Sequence, residues 1–197
     1  MIYIYNFGYT EETTALQVFQ NRAFQYGDGL FETMIFNNGR VQYLPDHFNR
    51  LSRGSLALHM HIPQQLTVSY LEENITRLVA QNKSTIHVRV KLQAWRKPGG
   101  TFTPTQTGAD FCISVQANAP VASIKDKVLF YEDIPLIYST ISEFKTCSAL
   151  PYVMAGIARQ QADADDMILL NTDGYISECI ASNLFWLKGN QLFTPSL

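Results

Sequence analysis

The stretch Phe31-Glu32-Thr33-Met34-Ile35-Phe36-Asn37-Asn38-Gly39-Arg40-Val41-Gln42-Tyr43-Leu44-Pro45-Asp46 moves from strand to turn to strand to helix without a linker. Phe31 to Phe36 is rich in aromatic and branched residues, which suit a pleated surface. Asn37-Asn38-Gly39 supplies the residue types that tolerate a positive φ, so the chain turns back through Arg40 to Leu44 as a hairpin. Pro45-Asp46 then opens a helix, with Asp46 expected as its N-cap, running to about Leu58. A hairpin that feeds directly into a helix makes the first half α+β.

Working outward, Ile2 to Tyr5 is a short strand, and a second helix follows Pro63, with Leu71, Ile75, Leu78 and Val79 on one face. Thr85 to Gln93 alternates. Ile86, Val88, Val90 and Leu92 point one way, and His87, Arg89, Lys91 and Gln93 the other. The basic side is either a solvated face or a wall that holds an anionic substrate. Lys97-Pro98-Gly99-Gly100 and the Thr/Pro-rich Thr101 to Thr107 form a loop, and Phe111 to Val115 is a further strand. Asn118-Ala119-Pro120 marks a linker, giving a first domain over 1–117 and a second over 121–197. The second half holds a strand at Val128 to Tyr131, a helix at about Ser148 to Gln161 and two closing hairpins. These are Met167–Leu170 with Tyr175–Ser177, and Leu184–Leu187 with Leu192–Thr194.

Composition narrows the function. The chain has 197 residues, 15 basic and 17 acidic, for a net charge of −2, so nothing favours nucleic acid or an anionic membrane as partner. Hydrophobic residues make up 46% of the chain and charged residues 16%, below the about 25% of an average domain. Much of the surface is therefore expected in an interior or an interface. No apolar run approaches the about 18 to 20 residues of a membrane span, and Met1 to Tyr9 lacks the pattern of a signal peptide. Cys112, Cys147 and Cys179 are widely spaced, which points to a reduced, cytoplasmic protein without a disulfide frame. His59 and His61 stand two apart without further ligands, so no metal site is expected.

Three residues could carry chemistry. Lys145 lies in Phe144-Lys145-Thr146-Cys147-Ser148, between an irregular segment and an apolar helix. A lysine against apolar neighbours can be desolvated, which frees its amine as a nucleophile. Glu178 stands among small and apolar residues, where a carboxylate needs a partner. Arg50 shares a helix face with His47 and Gly54, and Gly54 leaves room for a bulky group to approach an arginine suited to phosphate. Taken singly, an ordinary surface position is the better account of each of them.

Together with Arg22-Ala23-Phe24-Gln25-Tyr26-Gly27-Asp28-Gly29-Leu30-Phe31-Glu32-Thr33, His47-Phe48-Asn49-Arg50-Leu51 and Asn183-Leu184-Phe185, these residues resemble the class IV aminotransferase family, the fold-type IV pyridoxal-phosphate enzymes. The resemblance implies two α+β domains of the D-amino-acid-aminotransferase type and pyridoxal 5′-phosphate as cofactor. It further implies a small amino substrate and a homodimer. By the same resemblance, Lys145 joins the cofactor and moves the proton, Glu178 pairs with the pyridine nitrogen, Arg50 grips the phosphate, and Asn183 supports the site. Phe31, Arg89, Lys91 and Arg96 are the candidate substrate contacts.

Departures from the family pattern bear on the branch, which stays open because the loop Arg96 to Thr105 is closer to general aminotransferase relatives. Glu178 is followed by Cys179-Ile180-Ala181, and the run from Glu178 to Asn190 is most similar to 4-amino-4-deoxychorismate lyase. Branched-chain enzymes place a tyrosine where Leu150 stands, and D-amino-acid enzymes one where Phe31 stands. Lyase activity, releasing pyruvate and 4-aminobenzoate for folate synthesis, is the favoured expectation. The alternatives are branched-chain or D-amino-acid transamination, and a non-catalytic remnant. The pattern also implies a second domain that is incomplete here and lacks a phosphate-binding helix N-terminus, and so weaker cofactor binding than in a full-length relative.

Overall fold

A computed structural model describes residues 1–11, 19–83, 87–117 and 124–195. The chain divides into two compact units, Met1–Pro120 with Phe144–Ser148, and Val121–Glu143 with Ala149–Leu197. The linker expected at 118–120 lies outside the described residues, as do Thr85 and Ile86. Phe144–Ser148, expected within the second domain, is packed with the first.

The first unit is a six-stranded antiparallel sheet with two long helices on one face. In chain order it comprises β1 (Tyr3–Tyr5), β2 (Gly8–Thr10), α1 (Arg22–Tyr26), β3 (Gly29–Asn37), β4 (Arg40–Val41), α2 (Leu44–Ala57), α3 (Val68–Gln81), β5 (Val88–Arg96) and β6 (Ala109–Ala117). The strand order is β2-β1-β6-β5-β3-β4. The hairpin forms as its sequence dictates: Asn38 and Gly39 both take positive φ, 51° and 78°, and Phe36 pairs with Val41. Helix α2 starts earlier than expected. Tyr43 caps it in a left-handed conformation, Pro45 occupies its first turn, and Asp46 lies inside that turn rather than at the cap. Proline fixes the φ a helix start requires, and the acid inside the turn still complements the helix dipole.

Alternation sorts the sheet into two faces. Leu30, Met34, Val90, Leu92, Ile113 and Ile4 form the buried face under Leu51, Leu71, Ile75 and Leu78. Each such side chain stabilises the unit by about 1.5 to 3 kcal/mol when fully buried. On the other face, cross-strand neighbours Phe31 and Gln93, Thr33 and Lys91, and Ile35 and Arg89 are half-buried. The alternation read from Thr85 to Gln93 therefore holds over Val88 to Gln93. The strand itself runs on to Arg96.

The second unit holds β7 (Val128–Leu136), α4 (Leu150–Gln161), β8 (Asp166–Asn171), β9 (Ile176–Cys179), β10 (Trp186–Lys188) and β11 (Gln191–Phe193). Strand β7 pairs parallel to β8, β8 pairs antiparallel to β9, and β10 and β11 form a separate hairpin. Helix α4 packs on β7 and β8 around Tyr131, Ala155, Ala164, Met167 and Leu169. Among the described residues, no helix is long and apolar enough to cross a membrane.

Candidate active site

Between Gly29 and Ile35, strand β3 lies beyond the reach of β4, whose pairing begins at Phe36. The segment Lys145–Cys147 lines this stretch instead. The Phe31 N–H donates to the Lys145 carbonyl and the Cys147 N–H to the Gly29 carbonyl, each at 2.8 Å, and Leu30 bridges Thr146. A residue opposite Phe31 shares its face of the pleat. The Lys145 Nζ accordingly lies 5.8 Å from the centre of the Phe31 ring, and the Lys91 Nζ lies 5.2 Å from the same ring. Two amines thus flank one aromatic side chain, and the Lys145 Nζ has no hydrogen-bond or ion-pair partner among the described residues. The Lys145 side chain is exposed. Cys147, two residues on, is buried enough to push its thiol above the usual range, although nearby Lys91 pulls the other way.

Glu32, the neighbour of Phe31, faces the helices. Its side chain is 1% exposed and accepts two bonds from Arg50: Nε to Oε1 at 2.7 Å and Nη2 to Oε2 at 2.5 Å. His47 Nδ1 lies 2.7 Å from Oε2. An ionised carboxylate only accepts, so Nδ1 carries the proton. Burial raises the Glu32 carboxyl, but the bonds from His47 and Arg50 outweigh it and hold the group below the usual carboxylate range. Arg50 is therefore engaged by protein and keeps Nη1 without a partner among the described residues. Alternation places Lys145 with Phe31 and Arg50 with Glu32 on opposite faces of β3. The room expected at Gly54 is taken by protein: a Cβ there would sit 3.1 Å from both Leu30 and Phe144.

Arg96, expected to meet substrate, is instead part of the frame. It is 6% exposed and donates to both Asp28 oxygens and to the Leu58 and His59 carbonyls. Arg22 binds Asp28 from the other side and donates to the carbonyls of Gly99, Gly100 and Thr101, which anchors the loop after β5. Arg96, with four of its five N–H groups taken by carbonyls and a carboxylate, is held in the frame rather than presented to a ligand. Arg89 remains half-buried beside Ile35.

In the second unit, Glu178 sits on β9 opposite Leu169, and the Tyr152 hydroxyl donates to its Oε1 at 2.6 Å. Burial together with this carboxylate raises the phenol above its ordinary value. Glu178 Oε2 has no partner among the described residues. Asn183 is exposed in the connection between β9 and β10. The three cysteines are free, and among the described residues no cluster of three His, Cys, Asp or Glu could hold a metal. Glu32 and Tyr152 were not singled out from the sequence. Glu32 was legible as a carboxylate in register with Leu30 and Met34. Tyr152 carries no such signal, since nothing local ties it to residue 178.

The Amino-transferase class IV family model matches residues 29–197. The chain belongs to the class IV aminotransferase family. It is 26% identical over 179 residues to a branched-chain-amino-acid aminotransferase-like protein of Arabidopsis thaliana, covering 87% of this chain and 32% of that protein. It is 24% identical over 181 residues to an aminodeoxychorismate lyase of Vibrio harveyi, covering 90% of this chain and 65% of that protein. It thus spans less than two thirds of either relative. The crystal structure of a branched-chain aminotransferase from Thermoproteus uzoniensis with norvaline superposes with a TM-score of 0.87 at 20% identity, covering 99% of this chain and 68% of that one. The fold is that of the fold-type IV enzymes.

Proposed function

We propose that this chain is the cofactor- and substrate-handling part of a pyridoxal-phosphate enzyme acting on a small primary amine, and that its reaction is that of 4-amino-4-deoxychorismate lyase. The cofactor of the family is pyridoxal 5′-phosphate. The observation that carries the reading is the pinning of Lys145 along β3, which fixes a partnerless amine against Phe31. The donor types the group needs are present in each unit taken by itself: the first carries an amine at Lys145 and, from the other face of β3, a spare guanidinium nitrogen at Arg50, and the second carries a spare carboxylate oxygen at Glu178. When bound, the cofactor supplies an electron sink. Lys145 would take and return the proton, and Glu178 would accept the bond from the ring nitrogen. Arg50, braced by Glu32, stops the phosphate from swinging. Lys91, beside Phe31, faces the substrate's anionic groups.

Leu150 and Phe31, at two positions where the transaminase branches carry tyrosine, support the lyase over transamination, as does the run from Glu178 to Asn190. The chemistry is an elimination: a ring proton is removed, the bond to the enolpyruvyl oxygen breaks, and pyruvate and 4-aminobenzoate leave. A homodimer in the cytoplasm completes the reading. The branched-chain relatives favour transamination as the second reading. Titration with pyridoxal phosphate should give a visible absorbance band that is lost in Lys145→Ala. Wild-type protein that stays colourless with excess cofactor overturns the reading. Release of pyruvate from aminodeoxychorismate, against glutamate-dependent amino exchange, separates the two activities.

A further inference from the structure

We propose that Tyr152 is a positioning residue that holds one oxygen of Glu178 so that the other is left to accept the N–H of the cofactor's pyridine ring. The proposal rests on the reading of Glu178 given above and adds a residue that reading does not use.

Three observations carry it. First, the phenol is built into a rigid place. Helix α4 begins at Leu150 with Pro151 in its first turn, which sets the helix start, and Tyr152 packs against the cluster of Tyr131, Ala155, Met167 and Leu169. Second, Glu178 is fixed on a strand, with Leu169 as its cross-strand neighbour, so both ends of the contact stand on regular elements that each pack on β8. Third, the contact is short: 2.6 Å lies in the range of a hydroxyl donating to an ionised carboxylate. Among the described residues it is the only bond Glu178 makes through its side chain.

The chemistry explains why a phenol suits this place. A carboxylate that must meet a ring N–H has to present a lone pair along one line, and a free glutamate side chain rotates out of it. An arginine or lysine in the place of Tyr152 would fix the carboxylate but cancel its charge. A neutral O–H fixes it and leaves the negative charge to match the ring cation.

The test compares pyridoxal phosphate with its carbocyclic analogue, in which C–H replaces the ring nitrogen. Both are titrated into wild-type protein, Tyr152→Phe, Glu178→Gln and the double variant, with Tm as the control for folding. Tyr152→Phe keeps the packed ring and should raise the Kd for pyridoxal phosphate about tenfold or more, as expected for one hydrogen bond to a charged group. The Kd for the carbocyclic analogue should not change. In Glu178→Gln, adding Tyr152→Phe should have no further effect on either ligand. Equal weakening of both ligands by Tyr152→Phe would show a packing role and overturn the proposal, as would no weakening of either. If wild-type protein binds neither ligand through Lys145, the functional reading fails first and this inference falls with it.

Discussion

Glu32 is the residue on which much of the first unit's charge arrangement turns. Its carboxylate is buried beneath α2 and anchors both His47 and Arg50. Because those bonds hold it below its ordinary value of 4.5, the unfolded chain binds its proton more tightly than the folded one. Its contribution is therefore complete above the ordinary carboxylate range and is lost as the pH falls through that range toward the lower folded value. Glu32→Gln should lower stability at neutral pH by about 1 to 2 kcal/mol, a modest figure because Arg50 is partly exposed and water screens it. Melting curves from about pH 6 to about pH 3 should then show a shallower acid limb than in wild type. Asp28 keeps some limb in place, since Arg96 and Arg22 outweigh its burial and hold it low as well. An unchanged acid limb in the variant would show that the Glu32 bonds do not persist in solution.

At the scale of elements, the close approach of α2 to β3 and to the Lys145 segment depends on Gly54. There a helix, a strand and a returning loop meet so closely that a Cβ would sit 3.1 Å from both Leu30 and Phe144, which would have to give way to admit it. Gly54→Val would press branched carbons against Leu30 and Phe144 and force both side chains to shift. A loss of about 1 to 3 kcal/mol in urea denaturation is expected. Displacing Phe144 would also move the backbone that carries Lys145, so cofactor binding should weaken more than stability alone explains. The elements themselves were largely legible. The period-two pattern at Val88–Gln93 and the helical spacing of Leu71, Ile75, Leu78 and Val79 are local signals, and the turn at Asn38-Gly39 is local chemistry. What escaped was non-local. Arg96 looked like a free cation until Asp28, Leu58 and His59 converged on it, and Gly54 looked like open space until Phe144 returned to fill it. Lys145, Glu178 and Arg50 were legible only through a family pattern, because a single lysine, glutamate or arginine carries no chemical signature by itself.

At the scale of the whole chain, the two units differ in how much apolar surface they bury. The first has a continuous core running from Ile4 to Val115, while the second buries Tyr131, Ala155, Ala164, Met167 and Leu169 and leaves Phe130, Phe185, Leu187 and Leu192 exposed. Local opening costs less where fewer apolar contacts are broken. Amides of β3, β5 and β6 should therefore exchange with deuterium about tenfold or more slowly than those of β7, β8 and β9. The Cys147 amide is the decisive reporter. By position in the chain it belongs with the second half, but its N–H donates to the Gly29 carbonyl in the first unit. If that bond fixes the lysine segment, Cys147 exchanges at the slow rate of β3 and stays protected when the second unit opens. Exchange of Cys147 in step with α4 and β8 would mean that Lys145 is carried by the weaker unit, and that the anchoring along β3 does not hold the amine in place.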